Sequence, residues 1–428
     1  MLNKKLKKLM RNPGLFFSDM LAKKRKKVSG LYSKKVDGNY EYTVVSAVYN
    51  VGRYLDDYFK SLVNQKLNFK KNIYLIMVDD GSVDDSAAII KKWQSKYPDN
   101  ILYLRKENGG QASARNLGLE HVKTEWVTFI DPDDFVDVNY FYEVDSFVSA
   151  GNDQYCMVSC NIIFYYENNK SFKDSHPLRF KYAKGNIALS ISKLNKHIQL
   201  SSSTAFFCTR IISNFNLQFN SQIKPNFEDG KFIADYLMCN IHTEQVAFLR
   251  DAKYLYRKRD DGSSTLDTAW GKVERYTKVT RYGYLSILHD YAVKYGVIPR
   301  FVQNTVLYEV VWQLKQIVNH SERISFLSDE ERKEYTQLLI DVFKYIDSDV
   351  INDFDLAGCW FYHKLGMISC FKGESPKLQI AYVERYDKYK NQVLLRYFTY
   401  NDKFENIIVD GVSVIPAYVK KHDMIFLI

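Results

Sequence analysis

The stretch "EWVTFIDPDD" (residues 125–134) decides the fold of this chain. An apolar run fit for a buried strand ends in Asp131, Asp133 and Asp134, gathered around Pro132. Carboxylates repel one another, and Asp is a poor strand residue. The acids therefore mark the rim of a core, where a strand stops. Working outward, "YTVVSAVYN" (42–50), "IYLIMVDDGS" (73–82) and "ILYLRK" (101–106) are built the same way. Helical spacing fills the gaps. Tyr54, Leu55, Tyr58, Phe59 and Leu62 share one face; Ala87, Ala88, Ile90 and Trp93 follow a candidate cap at Asp84. "NGGQASARNLGLEHV" (108–122) is a glycine turn entering a third helix. Strand and helix alternating at this pace predict an α/β fold, with a mostly parallel sheet and flanking crossover helices. Ligands bind such sheets beyond the carboxyl ends of the strands. Tyr49 and Asn50, Asp79 and Asp80, and Asp131 to Asp134 stand there, facing one crevice.

Beyond residue 155 the rhythm changes. "YCMVSCNIIFYY" (155–166) and "QVAFLRDAKYLYRKR" (245–259) read as further strands, separated by polar connectors and "KPNFEDGKFIADYL" (224–237). Residues 266–347 are helical in pattern, with Val306, Val310, Leu314 and Ile317 on one stripe. From about 377 the helical period is lost. "LQIAYVERY", "QVLLRYFTY", "ENIIVDGVSVIPAYV" and "DMIFLI" predict a small antiparallel β unit. The chain thus divides into a basic tail (1–36), an α/β domain (37–265), a helical region (266–350) and a β-rich unit (351–428). The helical stripes suit core packing, acceptor binding or assembly of a homo-oligomer.

The composition, 46% hydrophobic and 26% charged over 428 residues, is that of a globular protein. The net charge of +10 is not evenly spread. Residues 1–36 hold twelve Lys or Arg against one acid, Asp19, and the remainder is nearly neutral. A neutral body argues against nucleic acid as a partner. The tail interleaves Leu2, Leu6, Leu9, Leu15, Phe16 and Phe17 with lysines, which suits an anionic membrane surface. It lacks the apolar core and cleavage site of a secretory signal, and no stretch approaches the ~20 apolar residues needed to span a bilayer. The six cysteines form no CxxC pair and read as reduced thiols.

Asp131 and Asp133, one residue apart on a turn stiffened by Pro132, can offer oxygens to a hard divalent cation, Mg2+ or Mn2+. The bland alternative is a turn with solvated acids. The chain has no GxxxxGK[ST] and no GxGxxG after its first strand, so phosphate-loop and dinucleotide readings fall away. A nucleotidyltransferase would carry a basic glycine-rich loop where this chain has "AVYNVGRY". An inactive sugar-binding scaffold would have no need to keep Asp131, Asp133, Glu228 and Asp229 together. The eight histidines show no paired metal-ligand spacing.

"VVSAVYNVGRYLDDYFKSLVNQ", "IYLIMVDDGSVDDS", "ENGGQASARNLGLEHVKTEWVTFIDPDDF" and "NFEDGKF", in that order, resemble the nucleotide-sugar domain of family 2 glycosyltransferases, over about 42–235. The resemblance implies a GT-A fold and a set of roles. Ala47, Tyr49 and Asn50 would line the base pocket, and Asp79 and Asp80 would bond base or ribose. Gly110 and Arg115 would lie against the nucleotide. Asp131 and Asp133 would hold the metal and diphosphate, with Asp134 in support or on the sugar. Asp229 would be the general base, with Glu228 as alternative base or sugar contact. Arg257, Arg259, Ser263 and Ser264 would grip the diphosphate or an anionic acceptor. No histidine stands in "YLYRKRDDGSSTL" (254–266), where relatives often place a metal ligand. The implied activity is inverting transfer of a hexose or N-acetylhexosamine from a UDP-sugar. The acceptor would be a surface polysaccharide, a teichoic-acid-like polymer or a lipid-linked glycan. The enzyme would be cytoplasmic and peripheral at the inner membrane face. The β-rich end also resembles, weakly, the linking segment of bifunctional capsule polymerases, which would make this chain one half of a larger machine.

Overall fold

The computed structural model describes residues 34–151, 154–241, 244–259, 268–377, 380–398 and 407–421. Nearly all of the basic tail, Ser263, Ser264 and the terminal "DMIFLI" lie outside the described residues.

Four strands open the fold: β1 (Tyr42–Val48), β2 (Ile73–Asp79), β3 (Ile101–Arg105) and β4 (Trp126–Thr128). Helices α1 (Gly52–Val63), α2 (Ser86–Lys96) and α3 (Gln111–Leu119) connect them. All pair in parallel, in the order β3-β2-β1-β4. Side chains alternate across a strand, and here both faces are covered. Val45, Ile76, Val78, Val127 and Phe129 enter one core. Val44, Val48, Leu75, Met77, Trp126 and Ile130 enter the other. Burial on both faces explains why these segments read as unbroken apolar runs.

The fourth strand is shorter than its apolar run. β4 pairs with β1 only from Tyr42 to Val44. Beyond that the Ser46 hydroxyl donates to the Ile130 carbonyl at 2.5 Å, a side chain replacing a ladder bond. The chain peels from the sheet there and the acidic turn begins. Asp84, expected as a cap, serves two helices: it accepts from the amides of Ser86 (3.0 Å) and Gly52 (2.9 Å).

The connectors after 155 hold more strand than their polarity suggests. Past β5 (Phe135–Val136) and α4 (Tyr140–Ala150) come β6 (Tyr155–Tyr166), β7 (Ser171–Lys173), β8 (Ile187–Ser190), β9 (Ala205–Cys208), α5 (Glu228–Met238) and β10 (Gln245–Lys258). β9 inserts antiparallel between β4 and β6, and β10 runs parallel to β6. The sheet order is β3-β2-β1-β4-β9-β6-β10-β5. Strand succession reverses beside β1, the place where open α/β sheets form their ligand crevice.

The helical region contains α6 (Ser286–Tyr295), α7 (Arg300–Ile317) and α8 (Asp329–Lys344). Val306, Val310, Leu314 and Ile317 are buried in the same core that covers one face of the sheet. The C-terminal β unit is two separate hairpins, β11 (Ala381–Asp387) with β12 (Gln392–Tyr397) and β13 (Ile407–Val409) with β14 (Val412–Val414). Among the described residues, no helix is long and apolar enough to cross a membrane.

Candidate active site

The crevice is built at the ends of β1, β2 and β4. Tyr49 is half exposed (52%), as a stacking surface must be. Asn50 sits at φ +51°, in the left-handed region that Asn tolerates. Its amide donates to Ser82 Oγ (3.1 Å), and its side-chain oxygen accepts from the Val83 amide (2.9 Å). Ala47 is partly buried against the core beneath. Asp79 is fully buried and accepts from the Ser82 amide (2.8 Å) and the Tyr103 hydroxyl (2.8 Å). Asp80 holds the glycine turn: it accepts from the amides of Gly109 (2.9 Å) and Gly110 (2.8 Å) and from Lys106 Nζ (2.8 Å). Gly110 stands at φ +90°, which glycine alone adopts freely. The two aspartates thus brace the two loops that wall the crevice.

At the end of β4 the three acids divide their work. Asp134 is buried; its oxygens accept from the Tyr254 hydroxyl (2.7 Å) and the Arg257 amide (2.7 Å), which locks the turn to β10. Burial pushes its carboxyl well up, with Asp133 and Asp131 adding to the push. Arg257 is buried too. It donates from Nε to the Asp133 carbonyl (2.8 Å) and lies among the rings of Tyr54, Phe135 and Tyr165, bracing the turn from behind. Arg259 reaches the Asp133 carboxylate directly.

Arg115 joins the rest. Gly118 lets its helix close on β1, since a Cβ there would stand 2.3 Å from Val45. The guanidinium, almost wholly buried, bonds Asp131 (3.0 Å), Glu228 (2.9 Å) and Asp229 (2.6 Å). The acids after β4 and those opening α5 therefore share one cation. Glu228 is buried and also accepts from Gln111; burial pushes it up, Asp229 adds to that, and Arg115 opposes it. Asp131 is pushed up to about 6 by its enclosure first, with Arg115 pulling down and Asp133 pushing up. Since 34% of its side chain still faces the crevice, water screens part of that shift. Asp229, less enclosed than Glu228, accepts from both the amide (3.1 Å) and the hydroxyl (2.9 Å) of Ser202.

Mg2+ or Mn2+ fits the donor set in part. Asp131 and Asp133 are partly exposed at the crevice, each with one oxygen paired to an arginine. Hard cations take one or two carboxylates together with substrate phosphates. No cluster of three or more His, Cys, Asp or Glu suited to a metal occurs among the described residues, so phosphates and water would complete the shell.

Sequence reasoning passed over Gln111, Ser202 and Tyr254. "SSST" (201–204) ahead of a strand was the available signal for Ser202. Asn116, one residue further along α3, pins Phe219 through two bonds to its backbone, of 2.9 and 2.8 Å.

Comparison with known proteins gives this geometry a family. Residues 43–213 match the model for glycosyl transferase family 2. The minor teichoic acid biosynthesis protein GgaB of Bacillus subtilis (strain 168) is 32% identical over 331 residues, 76% of this chain and 35% of GgaB. GgaA of the same organism is 29% identical over 347 residues, 80% of this chain and 74% of GgaA. The chain thus spans about a third of the one relative and three quarters of the other. Among solved structures, Staphylococcus aureus TarS 1–349 in complex with UDP-GlcNAc superposes with a TM-score of 0.57 at 17% identity, covering 86% of this chain and all of that one. That likeness establishes a shared GT-A fold. With the family match lying over the strand-end acids and the turn that carries Arg115, residues 43–213 of this chain form a glycosyl transferase family 2 domain.

Proposed function

We propose that this protein transfers a hexose or N-acetylhexosamine from a UDP-sugar, with inversion, to a teichoic-acid-type polymer or a lipid-linked precursor of one. One observation carries the reading: a single guanidinium holds Asp131, on the donor side, together with the acidic pair Glu228 and Asp229. Donor and acceptor chemistry then meet within one side chain's reach. The crevice at the strand ends supports a nucleotide, with Tyr49 as the stacking ring. The names of GgaA and GgaB support a teichoic-acid-type acceptor.

Asp229 is the general base. It is more open than Glu228, and its Oδ1 is held by Arg115 at 2.6 Å. Among the described residues its Oδ2 accepts only the Ser202 amide, at 3.1 Å, so this is the oxygen with room for a proton. In the step, Oδ2 takes the proton of the acceptor hydroxyl, the acceptor oxygen bonds the anomeric carbon, and the bond from that carbon to the diphosphate breaks. Mg2+ or Mn2+, held by Asp131 and Asp133, would neutralise the diphosphate as it leaves. The basic tail would dock the enzyme at the inner membrane face, beside lipid-linked acceptors.

Nucleotide release from UDP-, GDP- and CDP-sugars, with Mn2+ and purified teichoic acid, tests the reading. Release from a UDP-sugar, lost in Asp133→Ala and in Asp229→Asn, is the expected outcome. Equal release by either variant removes that residue's role.

A further inference from the structure

Phe227, the residue before the acidic pair, has φ +82°. A bulky side chain rarely holds the left-handed region, and where it does the surroundings must enforce it. The enforcement is visible. The buried ring sits against two glycines: a Cβ on Gly230 would stand 2.5 Å from it, and one on Gly283 2.7 Å. Tyr284 closes the pocket edge-on, ring centroids 4.8 Å apart. Gly230 is in α5 itself. Gly283 and Tyr284 are in the segment Val279–Leu285, a wide π-type turn leading into α6.

The residue before Phe227 is gripped from the same side. Arg275 Nη1 donates to Asn226 Oδ1 at 2.7 Å, with its guanidinium 4.0 Å from the Trp270 ring. Behind these groups, Gln313 of α7 donates to the Arg275 carbonyl (3.1 Å) and the Tyr284 hydroxyl (3.3 Å), and accepts from the Tyr335 hydroxyl of α8 (2.7 Å). The helical region therefore holds both residues that lead into Glu228 and Asp229. π-type turns are frequent at functional sites, where they displace a side chain that a regular helix would place elsewhere.

We infer that Phe227 is a positioning residue for the acidic pair, and that the helical region sets the reach of the base through the Phe227–Gly283 contact. The inference rests on the proposed transfer reaction. The left-handed turn aims the first turn of α5 at Arg115 and the crevice. The ring, locked between two glycines, keeps it there.

Three variants test this: Gly283→Ala, Phe227→Leu and the double variant. Rates are read as UDP release with Mn2+, purified teichoic acid and a mixture of UDP-glucose, UDP-galactose, UDP-N-acetylglucosamine and UDP-N-acetylgalactosamine. UDP affinity is read by calorimetry. Gly283→Ala drives a methyl into the ring and is expected to slow release by up to about 10²-fold, as misplacement of a reacting group by an ångström can do, with UDP affinity unchanged. Leu leaves room for that methyl, so the double variant is expected to recover about tenfold over Gly283→Ala, the mark of two residues in contact. Phe227→Leu alone, which relieves crowding and should fold, is expected to bind UDP normally and transfer slowly. Wild-type rates in Gly283→Ala or Phe227→Leu, a parallel loss of UDP binding, or a double variant no better than Gly283→Ala overturns the inference. Asp229→Asn separates the two readings. If it transfers at full rate the base assignment has failed; if it is dead while Phe227→Leu and Gly283→Ala keep full rate, only the positioning role has failed.

Discussion

Arg115 Nη1 lies 2.6 Å from Asp229 Oδ1, across 114 residues of sequence. The same side chain reaches Asp131 and Glu228. A buried cation with three carboxylates is held by its partners, and each partner is made tolerable by the cation.

Arg115→Ala is expected to destabilise the fold by about 3–5 kcal/mol, because it strands buried carboxylates without their counter-charge. Arg115→Lys keeps the charge but loses the fork that spans the acids. It should melt closer to wild type and still lose most transfer. Thermal melts beside UDP-release rates check both. An Arg115→Lys enzyme of full activity would show that the charge alone suffices.

Arg259 and a divalent cation would compete for Asp133. Arg259→Gln should therefore bind Mn2+ about fivefold more tightly, for a partly exposed ion pair worth about 1 kcal/mol. Calorimetric titration with Mn2+ reads this directly. Weaker binding would mean the arginine supports the metal site instead. Chelation with EDTA is expected to abolish UDP release in both proteins.

Lys181 is buried, donating to the Ile198 carbonyl (2.8 Å) and to Gln199 Oε1 (2.8 Å), with the rings of Tyr182 and Phe248 beneath. Burial pushes it down to about 7 from the ordinary 10.5, with Cys160 opposing. Between those values the unfolded chain binds the extra proton, so stability should rise with pH across that window. The slope from this one residue is at most about 1.4 kcal/mol per pH unit. Denaturant melts from pH 7 to 9 should show it in wild type and not in Lys181→Met. Identical slopes would refute the assignment.

Deleting residues 1–36 is expected to release the protein from vesicles containing anionic lipid while sparing turnover on soluble acceptors. Sedimentation with vesicles checks this, and unchanged binding after the deletion would move the membrane contact elsewhere.

The readable parts of this chain are those whose signal is local. β1 and β2 announce themselves because an unbroken apolar run, buried on both faces, gives way abruptly to polar residues. The helix Arg300–Ile317 does so through its stripe. β9 and the Ser202 loop did not, since four-residue strands among polar connectors carry too little pattern. The exits of the strands also misled: Asp134 looked like its neighbours, yet it is locked to Tyr254 at 2.7 Å, 120 residues away.

A mostly parallel sheet, strands that end in polar residues, and the motifs of a family 2 glycosyltransferase domain are all legible in the sequence. Periodicity and strand-end chemistry depend on neighbours within a few residues, so they survive in one dimension. Which acids face the crevice and which brace it emerges only once the chain is folded. Folding also puts Arg115 at the centre of the acids and clamps Phe227 between Gly230 and Gly283. Those outcomes depend on contacts between segments far apart in sequence, where burial and competition for a shared partner set each role.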